Sequence, residues 1–290
     1  MTVFCTNGFN QTNYQILSWH PQQTITSILV LNLMPNKQTT ETQLINLFNE
    51  LDQPIALTFM SPKTHQWRHG DPQVLAKNYV TLDQIKQRTF HSLLVTGAPL
   101  ERLAFDDIDF WQEFQTIRTW AKTHTATQLF TCWAAQAALY VDYAIPKIDL
   151  QKKIFGVYVN EQAQTTLPKW FQIPQSRFSK VDRTTVAQTA GLKILGDNHE
   201  TGPFLMQATD QRSLYVLGHP EYAVDTLSAE YYRDRSQNLT VPTPRNISLT
   251  APEFAYAHWR CCSRYLYHTW LTQTKRLKET NADVQKQLQL

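Results

Sequence analysis

The sequence predicts an α/β fold, a doubly wound and mostly parallel sheet with helices on both faces. Three observations predict it. Short apolar segments rich in branched residues alternate along the chain with longer segments of helical spacing. Its 290 residues, 42% of them apolar, suffice for one large buried core. No internal repeat or low-complexity linker divides the chain, so we expect a single domain over residues 1–278 and a polar, solvated tail over 279–290.

The predicted strands are short apolar runs that end at polar residues or at turn residues. Residues 27–34 (SILVLNLM) form a short, mostly apolar run rich in branched residues, which is typical of a strand buried on both faces. In the second predicted strand the apolar residues Ile55, Leu57 and Phe59 alternate with their neighbours. The same criteria predict further strands at residues 91–96, 127–131, 154–159, 192–195, 204–208 and 214–217.

The predicted helices lie between these strands. Leu44, Leu47, Phe48 and Leu51 follow helical spacing after Pro35, and Thr39 or Thr40 is the expected N-cap. Residues 61–80 are polar and contain two prolines, which predicts a long surface loop of functional interest. Helical patterns or good helix formers also occupy residues 108–122, 133–143, 224–235 and 253–276.

Composition and charge argue against several classes of function. The net charge of +3 comes from scattered basic residues, so we expect no nucleic-acid partner. The longest apolar run is too short to span a bilayer, and the N-terminus lacks the pattern of a secretory signal, so we expect a cytoplasmic protein without membrane contact. The four cysteines form no CxxC pair, and we expect reduced thiols.

Cys132 is the candidate nucleophile, because it lies where a predicted strand gives way to a predicted helix (LFTCWAAQAAL). The amides and the dipole at a helix N-terminus favour the thiolate, the reactive form of cysteine. The backbone amide of Trp133 is a candidate oxyanion donor, with a second donor expected from the turn at residues 97–99. A buried structural cysteine is the alternative interpretation, and position alone does not decide between the two.

His219 and Glu221 supply the second feature, at the end of the strand predicted over residues 214–217 (LGHPEY). Side chains two residues apart in extended chain lie on the same side, so Glu221 can orient His219 as a general base. A surface His beside a Glu is the commoner arrangement, but the combination with Cys132 favours a Cys-His-Glu triad. No GxGxxG, P-loop or HExxH pattern is present, and we expect neither a metal nor a bound cofactor.

Four long segments carry a family resemblance: ILVLNLMPNKQTTETQLINLF, LLVTGAPLERLAFDDIDFW, LFTCWAAQAALY and LGHPEYAVDTLSAEYYRDR. Together they resemble the homoserine O-succinyltransferase/O-acetyltransferase family over residues 27–270. The resemblance implies the fold of class I glutamine amidotransferases and an acyltransferase domain. It also implies that Cys132 forms an acyl-thioester while His219 and Glu221 act as base and partner. We expect a homodimer acting on small-molecule substrates.

The same resemblance implies roles for residues outside the triad. Lys153, Ser176 and Arg233 match positions that hold the amino-acid substrate. Lys37 matches a lysine of the loop after the first strand, and on the donor side its positive charge could favour the acyl donor or an anionic intermediate. Glu101 (GAPLE) stands where the family has a glutamate with acetyl donors and a glycine with succinyl donors, which predicts acetyl-CoA as co-substrate. A carboxylate there fills space and repels the succinyl carboxylate.

Three departures from the family pattern concern the acceptor. Compared with the pattern that the resemblance implies, we expect a proline-containing leader to be missing. Gln175-Ser176 stands for a His-Ser pair, and Asn36 and Thr39 stand for more usual residues. One methylene is worth about 1–3 kcal/mol in a pocket, so a few changes could convert a homoserine enzyme into a serine enzyme. We therefore expect L-serine, with slight preference, or L-homoserine as acceptor, for cysteine or methionine biosynthesis. The alternatives are a homoserine O-succinyltransferase, a cysteine peptidase or glutamine-amide hydrolase with the same triad, and a binding protein without activity.

Overall fold

A computed structural model describes residues 2–11, 25–66, 71–162, 167–237 and 239–287, with side chains described as far as residue 279. The chain forms two compact units. The first contains residues 1–96, 105–129 and 266–290, and the second contains residues 97–104 and 130–265. The architecture is mixed α/β with a mostly parallel central sheet, which confirms the predicted fold class.

The first unit contains the parallel strands. In chain order these are β1 (Val3–Cys5), β2 (Thr26–Leu31), β3 (Ile55–Met60), β4 (Phe90–Val95) and β5 (Thr125–Thr131), and their order in the sheet is β1-β3-β2-β4-β5. β2 pairs with β3 and with β4 in parallel register. Every residue of β3 and β5 is buried, as expected for strands covered on both faces.

The helices of this unit correct two predictions. They are α1 (Lys37–Asn49), α2 (Pro72–Asn78), α3 (Leu82–Ile85) and α4 (Trp111–His124), with a one-turn 3-10 helix at Phe105–Asp107. The cap of α1 is Asn36, whose side chain accepts a hydrogen bond from the amide of Thr39, so the prediction of Thr39 or Thr40 as the cap was wrong. The segment 61–80 contains α2 rather than loop alone; its residues 67–70 lie outside the described part.

Besides the loop of residues 97–104, the second unit contains the last two residues of β5 and the chain that follows them as far as residue 265. Its elements are α5 (Trp133–Tyr143), β6 (Ile148–Val159), β7 (Gln172–Lys180), α6 (Arg183–Gln188), β8 (Leu192–Asn198), β9 (Gly202–Ala208), β10 (Ser213–Val216), α7 (Thr226–Ser236) and the start of α8 (Glu253–Gln287). β10, β9 and β8 follow β5 in the sheet order and pair antiparallel. β6 and β7 form a separate antiparallel pair, and they carry Lys153 and Ser176 of the candidate site.

Strand β7 was not predicted, and its burial pattern explains why. Gln175, Arg177 and Ser179 are fully buried, so polar side chains occupy positions where a sequence pattern expects apolar ones. Helix α8 also continues beyond the predicted end at Arg276, to Gln287. The predicted solvated tail overlaps this helix, and its residues 288–290 lie outside the described residues.

Within the described residues, no helix is both long and apolar enough to cross a membrane. The same part of the chain contains no cluster of three metal-binding side chains. All four cysteines are free thiols, three of them buried and Cys261 exposed.

Candidate active site

Cys132 occupies a strained turn between β5 and α5. Its backbone lies at φ 48° and ψ −116°, a region that L-residues other than glycine rarely adopt. Its amide donates to the carbonyl of Val216 at 2.7 Å, which fixes the turn against β10. Backbone strain of this kind persists where the surrounding structure enforces it, and it is typical of nucleophile turns.

Gly97 leaves room for the side chains of Cys132 and His219. A Cβ atom at this position would lie 3.1 Å from Cβ of Cys132 and 3.3 Å from Cε1 of His219. Such contacts are too close for most side chains, so a glycine lets the loop of residues 97–104 pass directly over the two groups. Trp133, the expected oxyanion donor, is the first residue of α5, where backbone amides point out of the helix end.

His219 is buried and interacts with both Glu221 and Cys132. Its Nδ1 lies 2.8 Å from Oε1 of Glu221, and it also hydrogen-bonds to Cys132. Burial alone would lower the pKa of His219, but the negative charges of Cys132 and Glu221 together outweigh it and raise that pKa well above its usual value. The structure therefore brings the three predicted triad residues together, with the imidazole suited to hold a proton.

The three predicted substrate-binding residues lie in one cluster on β6, β7 and α7. Lys153 donates to Oδ2 of Asp234 at 2.8 Å, and Arg233 donates to Oδ1 of the same carboxylate at 2.6 Å from Nη2. Burial would raise the pKa of Asp234, but hydrogen bonds from the two cations lower it below its usual value. Asp234 thus holds two positive groups side by side, one buried and one exposed.

Glu230 joins this cluster, although the sequence analysis did not single it out. It accepts hydrogen bonds of 2.5 Å from the hydroxyls of both Ser176 and Tyr222. Its Oε2 lies 3.7 Å from Nζ of Lys153. Tyr222 in turn stacks on His219, with ring centroids 4.3 Å apart. The helical spacing of Glu230, Arg233 and Asp234 on α7 is the signal that could have found it.

Gln175, one of the departures from the family pattern, lies on the opposite face of β7 from Ser176. Its side chain is fully buried and accepts hydrogen bonds from Nε and Nη2 of Arg177, at 3.0 and 2.7 Å. Its amide also donates to Thr201. Because alternate residues of a strand point to opposite faces, Gln175 and Ser176 face different sides of β7. The replacement of His by Gln therefore does not place a new group in the cluster of Lys153, Ser176 and Arg233.

Glu101 is half-buried in the loop of residues 97–104, and two contacts hold that loop. Lys147 donates to the backbone carbonyl of Glu101 at 2.5 Å and to Asp149 at 2.8 Å. Arg102 lies over the ring of Phe178 on β7, 4.1 Å from its centroid. The position of Glu101 is therefore fixed through its backbone and its neighbour.

Lys37 belongs to the first unit, where it is the first residue of α1. It is buried, and its amine donates to the carbonyls of Asn32 at 2.6 Å and Met34 at 2.9 Å. Burial lowers its pKa to about 7, against a smaller opposing effect of Glu41. Its role on the donor side stays a prediction.

Comparison with known proteins decides the family. The family model of homoserine O-succinyltransferase matches residues 18–278. The chain belongs to this family. It is 35% identical over 253 residues to a homoserine O-acetyltransferase of Bacillus licheniformis, covering 84% of each chain. It is 38% identical over 224 residues to a homoserine O-acetyltransferase of Thermotoga petrophila, covering 76% of this chain and 74% of the relative.

Solved structures support the fold. A glutamine amidotransferase of Thermotoga maritima superposes with a TM-score of 0.56 at 12% identity, covering 86% of this chain and 97% of that one. A GMP synthase-like protein of Thermoplasma acidophilum gives a TM-score of 0.51 at 10% identity, covering 90% and 100%. The fold is thus glutamine amidotransferase-like, and family membership makes the chain an O-acyltransferase of amino-acid biosynthesis.

Proposed function

We propose that this protein moves an acetyl group from acetyl-CoA, through a thioester on Cys132, to the side-chain hydroxyl of a small L-amino acid. The observation that carries the proposal is the position of His219, which hydrogen-bonds to both Cys132 and Glu221 at a strand–helix turn. A buried base between a thiol and a carboxylate is the arrangement of nucleophilic acyl transfer.

In the first half-reaction the Cys132 thiolate attacks the thioester carbonyl of the donor. The carbon–sulfur bond to coenzyme A breaks, and the departing thiolate takes a proton from the His219 imidazolium. The raised pKa of His219 suits this role, since it keeps the imidazole protonated beside a thiolate. One thioester replaces another, so the step needs no external source of energy.

In the second half-reaction the acceptor hydroxyl attacks the acyl group on Cys132. His219 takes the hydroxyl proton, the ester bond forms, and the Cys132 thiolate leaves. The cluster on α7 offers complementary groups for an amino acid: the carboxylate of Glu230 for the ammonium, and Arg233 with Lys153 for the α-carboxylate. Holding both ends of the acceptor would direct its side-chain hydroxyl toward the acyl group.

Acetyl-CoA is the proposed donor because Glu101 stands in the loop that passes over Cys132 and His219 at Gly97. A carboxylate in that loop disfavours a second carboxylate on the acyl chain. Both curated relatives described above are named homoserine O-acetyltransferases, which agrees with this choice.

The proposed acceptors are L-homoserine and L-serine. The names of the relatives favour homoserine. Serine remains the second candidate because Asn36 and Thr39 depart from the family pattern, while Gln175 no longer supports it directly. Lys153, Arg233 and Glu230 would bind the backbone groups that both amino acids share.

The decisive experiment is mass spectrometry of the protein after mixing with acetyl-CoA, without acceptor. We expect a mass gain of one acetyl group that Cys132→Ala abolishes and Cys261→Ala retains. No adduct with acetyl-CoA or succinyl-CoA would contradict the transferase mechanism and favour an amide hydrolase. An adduct that persists in Cys132→Ala would contradict the assignment of the nucleophile.

Measurement of kcat/KM for L-serine and L-homoserine with acetyl-CoA, side by side, then identifies the acceptor. A homoserine value tenfold or more above serine, about 1.4 kcal/mol, assigns the chain to homoserine acetylation. A serine excess of the same size assigns it to serine acetylation.

A further inference from the structure

Tyr222 lies directly behind the general base. It is the residue after Glu221, it is 3% exposed, and its ring stacks on the imidazole of His219 at 4.3 Å and 19°. An imidazole held through Nδ1 alone can still rotate about its Cβ–Cγ bond. An aromatic ring packed parallel to it removes that freedom and fixes the plane in which the imidazole meets Cys132.

The ring of Tyr222 is itself held firmly. It belongs to a buried apolar cluster with Phe155, Val157, Leu227 and Trp259. The indole of Trp259 donates to the carbonyl of Tyr222 at 3.4 Å. β6, α7 and α8 therefore all contribute to the packing around Tyr222, on which His219 stacks.

The hydroxyl of Tyr222 points to the acceptor cluster. It donates to Oε1 of Glu230 at 2.5 Å, while Ser176 donates to the other oxygen of that carboxylate at 2.5 Å. Burial, followed by the charge of Glu230, raises the pKa of Tyr222 well above its usual value, so the phenol keeps its proton and remains the donor. The carboxylate of Glu230 is thus oriented by two hydroxyls.

We propose that Tyr222 is a positioning residue that couples acceptor recognition to the general base, with its ring acting on His219 and its hydroxyl acting on Glu230. The proposal rests on the proposed function. Its two parts are separable, because the ring serves both half-reactions while the hydroxyl serves only the second, in which the acceptor binds.

The test compares Tyr222→Phe and Tyr222→Leu with the native protein in two assays. The first assay follows acetylation of Cys132 by acetyl-CoA in a rapid single turnover, and the second measures kcat and KM for the better acceptor. Tyr232→Phe is the matched control, because Tyr232 lies on α7 but is 56% exposed.

We expect Tyr222→Phe to acetylate Cys132 within twofold of the native rate while its acceptor KM rises about tenfold. Tyr222→Leu should slow the acetylation of Cys132 about tenfold as well. A merely structural role would not separate the two half-reactions. Equal losses in both half-reactions of Tyr222→Phe, or no loss in either, would overturn the proposal even if Tyr222→Leu does not fold.

Failure of the underlying function gives a different result. If the native protein itself is not acetylated on Cys132, the acyl-transfer mechanism is wrong. If the native protein is acetylated normally and Tyr222→Phe behaves like Tyr232→Phe, only the role of Tyr222 is wrong.

Discussion

Lys153 and Lys37 are buried lysines in different regions of the molecule, with exposures of 8% and 7%, and their surroundings differ sharply. Lys153, in the second unit, contacts two carboxylates, Asp234 at 2.8 Å and Glu230 at 3.7 Å. Lys37, in the first unit, donates to two backbone carbonyls. Carbonyl dipoles offset the desolvation of an ammonium less completely than carboxylates do.

The surroundings of Lys37 affect its proton affinity. Burial lowers the pKa of Lys37 to about 7, although Glu41 opposes the shift. That carboxylate is occupied by Tyr79 and by the amides of Phe9 and Asn10. Lys153 is held by carboxylates within the candidate substrate cluster, whereas Lys37 is suited to exchange a proton near neutrality.

The largest expected effect is that of Lys153→Met on acceptor use. If the Lys153 ammonium binds the acceptor carboxylate, its loss should lower kcat/KM for the acceptor about 100-fold, or about 3 kcal/mol. Acetylation of Cys132 in the absence of acceptor should stay near the native rate. Steady-state and single-turnover kinetics check both statements.

Lys152→Met is the control, because Lys152 is adjacent in β6 and exposed. A similar loss in Lys152→Met, or an equal loss of Cys132 acetylation in Lys153→Met, would contradict the proposal that Lys153 binds the acceptor carboxylate.

Lys37→Met should change how stability depends on pH. Between pH 7 and the usual lysine pKa of 10.5, the unfolded chain holds a proton on Lys37 that the folded chain lacks. Rising pH therefore favours folding of the native protein, by up to about 1.4 kcal/mol per pH unit. The variant lacks this contribution, so the native-minus-variant difference in unfolding free energy should increase by about 2 kcal/mol from pH 7 to 9.

Urea unfolding of both proteins across that range measures the difference, with Lys77→Met, an exposed lysine of α2, as control. Parallel pH curves for the native protein and Lys37→Met would show that Lys37 carries its proton throughout, like a surface lysine.

Glu101→Gly tests the loop that Lys147 holds. The amine of Lys147 contacts the carbonyl of Glu101, as Lys37 contacts carbonyls, and the carboxylate of Asp149, as Lys153 contacts carboxylates. We expect the ratio of succinyl-CoA to acetyl-CoA activity to rise about tenfold, or about 1.4 kcal/mol. Glu101→Gln separates charge from volume, since it keeps the size of the side chain. An unchanged ratio in Glu101→Gly would end the assignment of this residue to donor choice.

The strand–helix alternation of the first half of the chain could be predicted because β2, β3, β4 and β5 are apolar runs buried on both faces. Helix α5 was predicted at its observed bounds from its alanine-rich sequence. Strand β7 was missed because Gln175 and Arg177 are buried and hydrogen-bond to each other. Buried polar residues of this kind do not produce the apolar alternation that predicts a strand. The cap of α1 was misplaced because several polar residues near Pro35 could cap it equally well.

The sequence by itself determined where the proposed nucleophile and base lie along the chain, since Cys132 at a strand–helix boundary and His219 two residues from Glu221 are local patterns. Only the tertiary structure decided what surrounds them. Lys153 meets Asp234 across 81 residues of chain, and Ser176 meets Glu230 across 54. Pairing of β6 with β7 and packing of α7 bring these groups together, and such long-range contacts leave no mark in local spacing.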